Sequence, residues 1–418
     1  MSDEKPTPPP PSSAAPAPTR ERDPIEHTAG TGGRAAATLR EISTGNFGVT
    51  VLAFVLALVI GAILIIAVDD DVADAAGYIF ARPSDFFGAA WSAVSDAYTA
   101  LFRGAVLNYQ ADTFAGAIRP FTETLTVATP LIIAALGVAV GFRAGLFNIG
   151  AQGQVIMGAM IAGFVGFTWN LPVGVHLLVA LLGGIIAGGL WAGIAGFLKA
   201  RTGAHEVIVT IMLNYVALYL LQYALTTSVF STGNQPKSPS VASSAQLPLI
   251  LGDQFRLNAG FIVAILAAIF VWWLMTRSTI GFRFRAVGSN AHAARTAGMS
   301  VTATFVLVMV VSGALAGLAG ATQLLGTEKF LTDGIAGSLG FDAITVALLG
   351  RSKPAGIFLA GILYGGLNVG GRVMEVATGT PIDIVLVIQS LVVLFIAAPP
   401  LVRAIFRLPA PTTKEVAA

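Results

Sequence analysis

Apolar runs of about 20 residues, repeated along the chain between short polar segments, constrain this sequence more than any other feature. A helix rises about 1.5 Å per residue, so about 20 apolar residues cross a ~30 Å hydrocarbon layer. Ten runs are candidates: 47–68, 121–142, 145–168, 173–198, 207–230, 259–276, 301–325, 341–350, 355–371 and 382–399. The eighth has about half the required length, so 341–371 reads as one interrupted hairpin or as a re-entrant piece. Backbone groups exposed to lipid must be paired within their own segment, which at these lengths means helices. The expected fold is therefore an all-α polytopic membrane protein with about ten transmembrane helices. Composition agrees, because charged residues make up 11% of the 418, against roughly 25% in soluble domains. That is a poor fit to a water-soluble enzyme. The chain has no cysteine, which removes disulfides, thiolate catalysis and cysteine metal sites together. A net charge of +2 gives no electrostatic footprint for nucleic acid.

Residues 1–46 are rich in Pro, Ser, Thr and Ala. Such a segment buries too little apolar surface to offset its ordering entropy, so a disordered tail is expected there. The run 47–68 then reads as an uncleaved signal anchor. With the N-terminus in the cytoplasm and the spans alternating, 17 of the 24 Lys and Arg fall on the inside. The positive-inside rule selects this orientation and puts the C-terminal tail, 401–418, in the cytoplasm too. Two outside segments are long. In 75–118, Phe87, Trp91, Val94, Tyr98, Leu101 and Phe102 recur at helical steps. The expected element is an amphipathic helix on the outer membrane surface or over the pore mouth. The segment 231–258 is rich in Ser, Pro, Asn and Gln and reads as irregular.

The apolar cores carry essentially no Asp, Glu, Lys or Arg, with Asp342 and Asp383 read at the outer ends of spans. Intramembrane carboxylates or histidines commonly serve as relays in ion-coupled carriers. Their scarcity argues against a proton-driven carrier and for a neutral solute. The histidines have no metal-ligand spacing, no Gly-Lys pair offers a phosphate loop, and no acid–base cluster emerges. The chain thus reads as a non-enzyme with no metal site and no cofactor of its own. Uncharged polar residues remain. Asn148, Gln152 and Gln154 lie among Gly145, Gly150 and Gly153, and Asn214, Tyr215 and Tyr219 lie in the fifth run. On a helix Asn148 and Gln152 share a face, as do Tyr215 and Tyr219. Amides in a membrane span serve either as interhelical glue or as the lining of a wet pathway. Three amides with interleaved glycines favour a pathway for Asn148–Gln154. Phe147, Tyr215 and Tyr219 either stack on a solute or simply pack.

The inside segment 277–300 has its own organisation. Ser289 or Asn290 can cap a short helix over 291–297, and Gly298 can end it. Its body is small, with Arg295 and His292 outward. Such a helix either seats in a partner's groove or merely pins topology, and the two caps favour the groove.

Three motifs now carry a resemblance: FRAGLFNIGAQGQ at 142–154, EVIVTIMLNYVALYL at 206–220 and GFRFRAVGSNAHAARTAGM at 281–299. Over roughly 120–400 the chain resembles the inner-membrane permease family of ABC importers for branched-chain amino acids and simple sugars. It is most similar there to the nucleoside-type branch, which works with basic-membrane-protein lipoproteins. The resemblance implies a pathway shared with a second permease subunit, identical or not. It also implies a cytoplasmic ABC ATPase that uses ATP and Mg, and an extracytoplasmic binding protein that delivers a small solute. Residues 142–154 match a segment expected near the pathway. Residues 281–299 match the coupling segment, so Arg283, Arg285, Gly288, Asn290, Ala293, Ala294, Arg295 and Gly298 are the expected contacts to the ATPase. Nucleosides are the first expectation for the solute, with sugars and branched-chain amino acids next. An ATP-independent secondary carrier is the alternative of another class.

Overall fold

The computed structural model describes residues 46–231, 233 and 235–407, with side chains from 48 onward. The expected N-terminal tail, except Asn46, lies outside the described residues, as does 408–418. Every described element of length is helical: α1 (Asn46–Val68), α2 (Asp70–Ala76), α3 (Pro83–Ala105), α4 (Phe114–Arg143), α5 (Ala151–Thr168), α6 (Val175–Thr202), α7 (Glu206–Ala224) and α8 (Gly260–Arg277). Then follow α9 (Thr279–Ser289), α10 (Ala291–Thr296), α11 (Val301–Thr322), α12 (Leu339–Leu349), α13 (Pro354–Thr378), α14 (Ile382–Ala397) and α15 (Pro399–Ile405).

Eight of these helices are long and apolar enough to cross a membrane, and the pair α14–α15, bent by 96°, makes a ninth. The expected span at 341–350 is not a full one. Helix α12 has 11 residues and rises about 16 Å. The preceding segment, 329–338, is non-helical. Run boundaries shift for local reasons. The run 145–168 yields a helix only from Ala151, because Gly145 takes φ +71° and turns the chain first. The run 301–325 continues as a π-helix over Gln323–Glu328 and stops at Lys329, which has φ +63°.

Helix α4 is buried over most of Thr122–Gly141 and is the central helix of the packing. Against it pack α11, α12, α13 and α8. Helices α5 and α6 complete a tight group around α11. There Gly188 of α6 and Gly313 and Gly317 of α11 bring backbones into direct contact, and a Cβ on any of the three would overlap the facing chain. Without a hydrophobic force between helices in lipid, such close approach supplies much of the packing energy. The outward faces of α1, α6, α7 and α8 are apolar and exposed, as a face toward lipid or toward another membrane-embedded chain requires.

Helix α3 forms where the sequence period placed one, but it does not lie alone. Its small residues Ala97, Ala100, Gly104 and Ala105 are buried against α13. The Tyr98 hydroxyl reaches the Leu58 carbonyl near the middle of α1, and Ala105 O accepts from Thr124 Oγ1 at 2.7 Å. Phe87, Trp91 and Phe102, part of the apolar repeat, are exposed on the opposite side. The segment 231–258 is irregular, as read. It is stitched to the far end of α11 through Ser238 N to Leu331 O, Val241 N to Lys329 O and Leu247 N to Leu325 O, at 2.8–3.0 Å.

Candidate functional site

The turn after α4 places the first motif. Asn148 precedes α5 and is not on it, so the helical face expected for Asn148 and Gln152 does not exist. Asn148 is fully buried. Its Nδ2 donates to Gln154 Oε1 at 2.9 Å and to Ser312 Oγ at 2.8 Å. Its Oδ1 accepts from Gly150 N and Gln154 Nε2, both at 3.0 Å. Ser312 passes its own proton to Gly137 O at 2.7 Å. Asn148 and Gln154 thus form a closed lock between α4, α5 and α11 and line neither of the two cavities nearby. Every member is satisfied, which is what makes such a buried network stabilising.

Gln152 points the other way. Its Nε2 donates to Gly337 O at 2.6 Å and its Oε1 accepts from Gly340 N at 2.8 Å. Gly340 lies in the first turn of α12, whose N–H groups have no helical partner. An amide on α5 therefore caps α12 from outside. Asn214 plays a similar part on α7, accepting from Gly153 N at 2.8 Å and donating to Ile149 O at 3.0 Å. Gln152, Asn214 and Tyr215 share a largely apolar cavity of about 390 Å³ with Ile156 and Phe341. Tyr219 and Phe147 lie outside it. Tyr219 is 64% exposed on the outward face of α7, and Phe147 leans on Phe142 with ring centroids 4.8 Å apart.

A second, more polar cavity of about 290 Å³ lies across the segment 334–337, which lines both. Its wall carries Thr126 and Pro130 of α4, Gln323 and Glu328 of the π-helix, Asp342 of α12, and Tyr364, Asn368 and Arg372 of α13. Asp342 Oδ1 accepts from the Tyr364 hydroxyl at 2.9 Å and Oδ2 from the Ser338 hydroxyl at 2.6 Å. Asp342 is not at the outer end of a span, as its place in the sequence suggested. It begins a half-length helix and bonds to a tyrosine near the middle of the 25-residue α13. Among the described residues a carboxyl group thus lies level with the middle of a spanning helix. Sequence reasoning missed this site because its members lie on four separate elements. Two signals point to it: a half-length run with an acid in its first turn, and Pro130 inside a long helix.

The third motif folds as two helices, where one short helix was expected. Ser278 Oγ caps α9, accepting from Gly281 N at 2.9 Å. Asn290 Oδ1 caps α10, accepting from Ala293 N at 3.0 Å, and Gly298 at φ +80° follows its end. Ala294 is buried with Val287 and Val301, so it anchors α10 to its own chain and presents nothing to a partner. Ala293, Arg295 and the backbone of Gly298 are exposed, as is Arg283. Arg285 is half-buried. Gly288 packs on the α4 turn, where a Cβ would come within 2.6 Å of Arg143 O and of the Ala144 carbonyl carbon. The first and third motifs are thereby in direct contact. At the same end Arg143 Nε donates to Ser352 O at 2.8 Å, and Arg351 Nη2 donates to Thr50 Oγ1 at 3.4 Å. The basic turns after α4, before α10 and between α12 and α13 therefore gather at one end of the helices. Across the next turn Lys199 and Glu206 pair at 2.6 Å.

Among the described residues no group of three His, Cys, Asp or Glu is placed to hold a metal. His176 is buried, bonded to Ser244 Oγ at 2.7 Å and Val165 O at 3.0 Å, a structural role.

Comparison with known proteins places this architecture. Residues 121–397 match the family described as branched-chain amino acid transport system / permease component. The chain is 42% identical over 310 residues to the guanosine ABC transporter permease protein NupP of Bacillus subtilis, covering 73% of this chain and 86% of that one. It is 34% identical over 361 residues to the glucose ABC transporter permease protein TsgB13 of Haloferax volcanii, covering 84% and 87%. It is 35% identical over 319 residues to the nucleoside ABC transporter permease protein NupB of Lactococcus lactis, covering 72% and 85%. No solved structure matches the chain. With its helices, its half-length α12 and its paired motifs, the chain belongs to the permease-component family of branched-chain amino acid transport systems, as a multi-pass permease subunit of an ABC importer.

Proposed function

We propose that the imported solute is a nucleoside. The observation that carries this reading is the 42% identity to a guanosine permease across 86% of that relative. The 35% identity to a nucleoside permease supports it. Glucose is the second reading, because a glucose permease matches over 84% of this chain at 34% identity. Uptake of radiolabelled guanosine by cells carrying the complete transporter, competed in turn by unlabelled nucleosides, glucose and leucine, separates the two. Competition by nucleosides alone is expected. No guanosine uptake above that of cells lacking the transporter, with radiolabelled glucose taken up in its place, would replace the reading.

In this account the chain lies in the bacterial plasma membrane with the end that holds Arg143, Arg283, Arg285 and Arg351 in the cytoplasm, as the positive-inside rule favours. Both termini are then cytoplasmic, and α3 and 231–258 lie outside. A cytoplasmic ATPase docks on α10 and α9 through Arg283, Arg295 and the capped turn at Asn290, and it alone binds ATP and Mg. An extracytoplasmic binding protein delivers the solute. A second permease completes the pathway, and the exposed tyrosines of α7, Tyr215 and Tyr219, face it. Gly288 on the Ala144–Gly145 turn supports a mechanical route. Movement of α9–α10 reaches the Asn148 lock, and α5 carries it to Gln152, which holds the start of α12. Contact alone is not coupling, so this route is a statement about which elements must move together.

A further inference from the structure

We propose that the polar cavity above α12 is the site that recognises the base of the passing nucleoside, and that Asp342 reads a base edge bearing N–H donors. This inference rests on the nucleoside reading. The cavity has the features of a solute site in a transporter. Its walls are a half-length helix, a π-helical end and a non-helical segment, which leave backbone polar groups free at membrane depth. Pro130 adds to this, because it lacks the N–H that would bond the Thr126 carbonyl, and both residues line the cavity. At about 290 Å³ the space lies near the lower end of the range for small-molecule sites.

The chemistry narrows the ligand. A carboxylate has about four acceptor positions. Tyr364 and Ser338 use one on each oxygen of Asp342. Their hydroxyls fix the orientation of the group and leave one acceptor on each oxygen. Two acceptors side by side match two adjacent N–H donors, as on the N1–H and N2–H edge of guanine. The corresponding adenine edge offers the N1 acceptor beside one donor, and so sets an acceptor against the carboxyl. Asn368, on the same wall, has a buried Oδ1 with no protein partner, a further acceptor available to a donor on the solute.

The test is Asp342→Asn in the complete complex, reconstituted in vesicles with its ATPase and a binding protein shown beforehand to bind both guanosine and adenosine. The amide keeps the shape and the Tyr364 bond but turns one acceptor into a donor. The ratio of guanosine to adenosine uptake is expected to fall about tenfold or more, a loss of the size seen when a polar site meets the wrong partner. An unchanged ratio, or equal loss of both, would overturn the assignment, equal loss meaning that Asp342 holds the shared ribose or the fold. If Asp342→Asn does not assemble, the absence of native cysteine allows a second measurement with Thr327→Cys, on the cavity wall. Guanosine is expected to slow its labelling by a small thiol reagent, and adenosine to slow it less. Labelling indifferent to guanosine would count against the site. The parent reading fails separately: wild-type complex that imports glucose and no nucleoside removes it, whereas wild-type guanosine uptake with an unchanged ratio in the variant removes only this inference.

Discussion

Three amides in one short motif do two different things, and the difference lies in what each side chain can reach. Asn148 is closed on itself by Gln154, Ser312 and Gly150. Asn148→Leu strands those partners in the interior at about 1–3 kcal/mol for each unsatisfied group. A lowered melting temperature of the purified protein is expected, with transport and assembly lost in proportion. Gln152 instead bonds only to the segment before and within α12. Gln152→Leu is expected to leave melting within a few degrees of wild type and to cut uptake about tenfold, because the start of α12 loses the amide that positions it. Equal loss of stability in both variants would contradict this division. The sequence showed that these amides matter as a group. It did not show which was lock and which was cap, because that depends on Gly145 turning the chain before α5 begins.

At the scale of elements, capping chemistry was the most legible feature. Asn290 and Gly298 bracket α10 where their side-chain and backbone preferences put them. What the pattern could not show is which residue of an alanine-rich turn faces inward. Ala294 does. Arg295→Glu on the exposed side is expected to reduce ATP-driven uptake about tenfold while the permease melts normally, whereas Ala294→Asp, which buries a carboxylate among Val287 and Val301, is expected to lower melting itself. Coupled uptake unaffected by Arg295→Glu would leave α10 a topological anchor. Helix α3 shows the limit of periodicity from the other direction. The repeat gave a helix, but small residues took the packed face, where Gly104 and Gly370 let α3 and α13 approach closely.

For the whole molecule, hydropathy alone marked nearly every membrane helix, since about 20 apolar residues have few other uses. It failed where depth matters. Asp342 lies at the start of the short apolar run 341–350 in the sequence, and only the half-length of α12 and the bond to Tyr364 bring it level with the middle of α13. The polar cavity was invisible for the same reason, its wall being gathered from 126 to 372. The architecture that results is a glycine-packed core, a solute-sized cavity and a basic end with a small capped helix, and in the proposed function a partner ATPase supplies the drive. The most direct test is guanosine accumulation in sealed vesicles holding the permease with and without its ATPase, binding protein and ATP. Accumulation above the outside concentration is expected only when all are present. Uphill accumulation by the permease alone, driven by an ion gradient, would contradict the account.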